Sequence, residues 1–140
     1  MPQPAPTLTG TLNRIRIVHV LILLAMLIII DAVERLLPHK NRDVSALRVP
    51  YIILALAELG IILFFRLRRL RPAIQLLKSD PNDMLALNQM RVVNILSFVI
   101  LESVVLLGFS LRFMGGTRAQ SLPFYAAGIG LMLIWWPRRP

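Results

Sequence analysis

The chain contains no cysteine. Disulfides, thiol nucleophiles and Cys-ligated zinc or iron–sulfur centres are therefore excluded. Histidine is almost as scarce, with His19 and His39 the only two. They lie far apart along one helix and its following loop, so a haem or metal site would lack ligands, and no cofactor is expected. Acids are few as well, seven against sixteen Lys and Arg, which leaves a formal charge of +9. Charged residues make up 16% of the chain, where soluble proteins carry about 25%. The polar loops hold no cluster of acids, histidines or nucleophiles that would mark a lipid-modifying enzyme, and the chain is read as non-enzymatic. Nucleic-acid binding needs a basic face interleaved with stacking aromatics. Here the aromatics sit inside or beside apolar stretches, so nucleic acid is not an expected partner.

What the chain does have is apolar length. Hydrophobic residues reach 56% and gather in four long runs, with basic residues at their ends. That pattern predicts an all-α membrane protein: four transmembrane helices in a bundle, over about 15–37, 50–67, 91–113 and 119–136. Residues 1–13, rich in Pro and Thr, are expected to be a disordered tail, with one transmembrane domain over 14–140. Arg14 and Arg16 precede the first run, but no small-residue cleavage site follows it, so an uncleaved anchor is expected. Pro38 should end the first span, because proline cannot donate the helical hydrogen bond. Pro50 suits the first turn of the second. Pro123, Gly128 and Gly130 interrupt the fourth run, and Trp135 and Trp136 close it as an interfacial aromatic belt.

Between spans 2 and 3 the sequence predicts a helical hairpin extension over about 68–90. Residues 72–77 supply two turns of helix. Asp80 is the expected N-cap of the next helix, Pro81 its first residue and Asp83 a partner for its positive end. No breaker follows before Gly115-Gly116. One helix of about 34 residues, roughly 51 Å at 1.5 Å per residue, should therefore run into the third span. Its first turns, 84–91, are amphipathic and should close on 72–77. The N-tail, the 66–91 segment and the C-tail hold ten Lys and Arg, and the two opposite loops hold six. This bias predicts cytoplasmic termini and a cytoplasmic hairpin. Arg66, Arg68, Arg69, Arg71, Trp135, Trp136, Arg138 and Arg139 are the expected contacts to lipid head groups, anionic ones included.

Two carboxylates stand out. Glu58 and Glu102 lie near the centres of the second and third runs, with no basic residue at the same depth. A charged acid there costs about 2.5–3.5 kcal/mol on insertion scales, which makes it a candidate functional site. Two acids meeting at one depth would share a proton or bind a monovalent cation. Alternatively, each is protonated and hydrogen-bonds to Asn94, Ser97 or Ser103, or contacts a partner subunit. Asp31 and Arg35, four residues apart at the end of the first span, should form a structural ion pair.

Residues 79–81 followed by Ile95-Leu96-Ser97-Phe98-Val99-Ile100-Leu101-Glu102 and the apolar stretch to Gly108 resemble the second half of a rotary-ATPase proteolipid hairpin, over about 30 residues. The resemblance implies an ion-binding role for Glu102. The glycine-rich first helix of that family is missing, since the second span has only Gly60. The leading expectation is a non-enzymatic subunit of a homo-oligomer or larger membrane complex. The alternative is a small proton- or cation-coupled transporter or channel using Glu58 and Glu102.

Overall fold

A computed structural model of the 140-residue chain describes residues 7–37 and 44–137. Every regular element among them is helical: α1 (Leu8–Leu36), α2 (Ser45–Phe65), a π-helical turn (Arg66–Leu70), α3 (Arg71–Ser79), α4 (Met84–Phe113) and α5 (Arg118–Ile134). Three continuous helical stretches, Leu8–Leu36, Ser45–Ser79 and Met84–Phe113, are long and apolar enough to cross a membrane. The protein is therefore all-α and of integral-membrane character. α5, with 17 residues, falls short of that length.

α1 begins inside the expected disordered tail. Thr7 caps it, its hydroxyl accepting from Gly10 N at 3.2 Å. Leu12 and Ile15 are then buried against Leu70, Ala73 and Leu77 of the π-helical turn and α3, and Leu87 and Met90 of α4. This burial gives the early turns the tertiary support that an isolated polar segment lacks. Residues 1–6 lie outside the described part. At the other end Leu37 turns extended, with ψ 127°, as expected of a residue that precedes a proline.

Pro50 is not in the first turn of α2, which starts five residues earlier at Ser45. Nor does the arginine run stop the helix. Arg71 N–H bonds to Arg66 O, five residues back, so the helix widens by one residue per turn and continues. Pro72 explains the widening: it cannot donate to Arg68 O, and its ring crowds that carbonyl. The chain stays helical to Ser79, where Asp80 becomes the C-cap.

The next helix starts three residues later than Pro81. Asp83, not Asp80, is its N-cap, accepting from Leu85 N and Ala86 N at 2.9 and 3.0 Å. Asp80 Oδ1 accepts from Asn82 N instead and shapes the turn. From Met84 the helix is unbroken for 30 residues. Asp83→Ala should therefore remove about 1 kcal/mol of N-terminal support. Amide exchange at Leu85 and Ala86 should accelerate about fivefold, while Asp80→Ala leaves both amides protected. Equal effects of the two substitutions would discredit the assignment of the cap.

α4 is the axis of the molecule. Half of its apolar window is buried, against 11% for α1 and for α2. α1, α2 and α5 each pack on it, and α1 also touches α5. α4 ends where Gly115 takes φ 94°, and Gly116 N returns to Leu111 O at 2.8 Å. α2 and α5 run antiparallel to α4, whereas α1 runs parallel to it, its start packed on the start of α4 and Glu34 paired with Arg112 at the other end. One end of the bundle gathers Arg16, Arg66, Trp135 and Pro137. The opposite end gathers Glu34, Arg112 and Arg118.

Candidate functional site

Tyr51, Ala55, Glu58 and Ile62 recur at three- and four-residue spacing and so share one face of α2. That face meets α4. Tyr51 Oη lies 2.8 Å from Ser110 Oγ, Ala55 packs in a cluster with Val104, and Ile62 packs with Leu101. Glu58 is thus carried into the α2–α4 seam, where it is half-buried. Its Oε2 is buried and has no hydrogen-bond partner.

Glu102 sits at the same level, between Leu101 and Val104, but it turns the other way. It shares the face of α4 that carries Phe98, Val105 and Phe109. Those residues meet α1 and α5: Phe98 against the His19 ring at 4.2 Å, and Val105 and Phe109 in a cluster with Met26 and Tyr125. The two acids therefore match in depth but face different neighbours. No hydrogen bond joins them, and neither has a hydrogen-bond or ion-pair partner among the described residues.

The three polar neighbours expected to satisfy them are engaged elsewhere. Asn94 Nδ2 donates to Met90 O at 2.8 Å, Ser97 Oγ to Val93 O at 2.7 Å and Ser103 Oγ to Ile100 O at 2.8 Å. Each bonds back to its own helix, the usual recourse of a short polar side chain in a helix interior.

Charge is neutralised at one end of the bundle instead. Arg35 Nε donates to Asp31 Oδ1 at 2.9 Å, yet both side chains are mostly exposed, so this pair contributes little. The buried ion pair is Glu34 with Arg112, whose Nε lies 3.0 Å from Glu34 Oε1, with side chains 10% and 2% exposed. Arg112 Nη1 also donates to Gly116 O at 2.7 Å, and the exposed Arg118 approaches Glu34 Oε2 at 3.6 Å. One carboxylate thereby ties α1 to the end of α4 and the start of α5. The only sequence signal for this pair was that Glu34 and Arg112 both end apolar runs on the same side. Asp31 and Arg35, by contrast, are marked as a pair by their i,i+4 spacing alone.

At the other end, the Arg66 guanidinium lies 4.8 Å from the centre of the Trp135 ring, and Arg68 lies 5.6 Å from that of Phe64. Arg68, Arg69 and Arg71 are exposed, while Trp135 and Trp136 are half-buried. Arg16 Nε donates to Pro137 O at 3.1 Å, fastening the end of α5 to α1. His19 is 1% exposed, wedged edge-on between Phe98 and Trp136. His39, Arg138 and Arg139 lie outside the described residues.

Comparison with protein-family models, with curated proteins and with solved structures finds no match to this chain.

Proposed function

We propose that this chain is a non-enzymatic integral membrane subunit that works within a homo-oligomer or a larger membrane complex. The observation that supports this reading is the unmet hydrogen bonding of Glu58 and Glu102. Asn94, Ser97 and Ser103 each donate to their own helix. A carboxyl group at mid-depth in an apolar environment needs a partner. A second copy or another subunit would supply it.

In this reading α5 is a fourth span. Its 17 residues cover about 26 Å of the roughly 30 Å apolar core, with Trp135 and Trp136 extending it to the interface. α3 and the first turns of α4 form a hairpin extension on the cytoplasmic side, where the basic residues concentrate and both termini lie. Arg66, Arg68, Arg69, Arg71, Trp135 and Trp136, with Arg138 and Arg139, contact anionic head groups there.

Purification in mild detergent followed by mass measurement of the intact assembly tests the proposal. The expected result is a defined complex containing more than one chain. A monodisperse single chain under these conditions would refute it. Within the complex, Glu58→Leu and Glu102→Leu should each weaken association by about 0.6–2 kcal/mol, the range for interhelical hydrogen bonds in membranes. Glu→Gln at either position, which keeps shape and hydrogen bonding, should be nearly silent.

A second reading, proton or cation handling, draws on the buried, unpartnered Oε2 of Glu58. It predicts the opposite response to Glu→Gln: assembly unchanged, but ion flux into reconstituted vesicles abolished. Wild-type vesicles without flux would eliminate it.

A further inference from the structure

α2 and α5 both lie on α4, but along part of their length they do not close on each other. Between them runs an open groove of about 180 Å³, walled by Ile52, Ala55 and Leu56 of α2 and by Pro123 and Ala127 of α5, with Val104 of α4 beneath. The small side chains of Ala55 and Ala127 leave the space, and Pro123 brings no long side chain to fill it. Only one end is polar. Arg48 and Gln120 line it there, at the same end of the bundle as the Glu34–Arg112 pair. Arg48 is exposed and has no hydrogen bond or ion pair with a described residue. Gln120 Oε1 is held by Thr117 N at 2.8 Å, which leaves its amide nitrogen to donate outward.

We propose that this groove holds one acyl chain of an anionic phospholipid, with the head group at Arg48 and Gln120. Charge and length both argue for this occupant. The mouth offers a guanidinium and a neutral donor and, among the described residues that line it, no acid, which suits a phosphate oxygen. The lining reaches along α2 from Arg48 to Leu59, about 17 Å at 1.5 Å per residue. One leaflet of a bilayer is about 15 Å deep, so a chain anchored at Arg48 would run the length of the groove to mid-depth. The inference rests on the reading of α5 as a span, and is independent of the subunit reading.

The full chain, reconstituted in vesicles of equal phosphatidylglycerol and phosphatidylcholine, would be tested with each lipid in turn carrying a photoactivatable group on its acyl chain. Adducts are then mapped by peptide mass spectrometry. Exposed Ile17 and Leu21 of α1 report insertion into the bilayer. The expected result is adduct formation at 52–59 and 123–127 that favours phosphatidylglycerol over phosphatidylcholine. Arg48→Gln should lower it about fivefold, the loss expected of one basic group at a lipid surface. Leu56→Trp, at a position 62% exposed and so tolerant of size, should block the groove and remove these adducts while sparing those on α1. Adducts on α1 with none in the groove would overturn the proposal, as would equal labelling by the two lipids or indifference to Arg48→Gln. Absence of adducts everywhere would overturn the membrane placement itself.

Discussion

Glu34→Leu is expected to destabilise the folded chain by about 3–5 kcal/mol, the range for removing one partner of a buried ion pair. The substitution strands Arg112, whose side chain is 2% exposed and which would keep only Gly116 O as an acceptor. Arg112→Leu should cost less. It leaves Glu34 with Arg118 at 3.6 Å, and a carboxylate can also discharge by taking a proton. The double variant Glu34→Leu/Arg112→Leu should recover most of the loss, since an apolar pair of similar volume replaces the ions without an uncompensated charge. Unfolding in mild detergent, followed by circular dichroism, would measure all three. A double variant that loses the sum of the two singles would show that the pair is not coupled. Asp31→Ala supplies the contrast. Its pair with Arg35 is exposed, and its removal should change stability by less than about 1 kcal/mol.

The contrast between these two pairs illustrates what a sequence discloses. Asp31 and Arg35 are four residues apart, and helical periodicity alone brings them together. Glu34 and Arg112 are 78 residues apart, and only the packing of α1 on α4 unites them. Hydropathy likewise predicts helices over the apolar runs, because span-length apolar segments have few other options. It does not predict their ends. α1 reaches back to Leu8 because Leu12 and Ile15 find a buried surface on α3 and α4. α2 passes through Pro50 and runs on past the arginines, since one π-helical turn absorbs the proline at 72. The cap of α4 moved from Asp80 to Asp83 for a similar reason. Either aspartate can cap a helix, and the choice depends on where α3 stops.

The carboxylates were legible as residues but not as a site. Their equal depth follows from counting along two antiparallel helices. Their orientation depends on which face of α4 each neighbour occupies. α2 takes the face of Leu101 and Val104, while α1 and α5 take that of Val105 and Phe109. Glu58 therefore enters one seam and Glu102 faces another. A shared proton between them would require a rearrangement of α2 over α4, which makes two separate sites the simpler arrangement.

Gly128→Ala should be the most damaging small change within the apolar helices. A Cβ at this position would strike Val105 Cγ2 and come within 3.0 Å of Leu101 O. Val105 is β-branched, fully buried and fixed in rotamer by its helix, and Leu101 O is backbone, so neither can yield cheaply. α5 would have to move away from α4, at a cost of about 1–3 kcal/mol. Gly108→Ala should behave alike from the opposite helix, since its Cβ would meet the Tyr125 ring at 2.5 Å and Ser121 O at 3.1 Å. Tyr125 is itself confined by Phe109, 5.3 Å away between ring centres. These two glycines allow α4 and α5 the close approach that small residues give helices in membranes. Gly130 has nothing within 4 Å of its added Cβ, so Gly130→Ala should leave the α4–α5 contact intact. Cysteines introduced in pairs across α4 and α5 would report the separation through disulfide yield, against a background with no native cysteine. The yield should fall for Gly128→Ala and Gly108→Ala and hold for Gly130→Ala. A uniform response to all three would mean that α5 is not seated on α4 through Gly108 and Gly128.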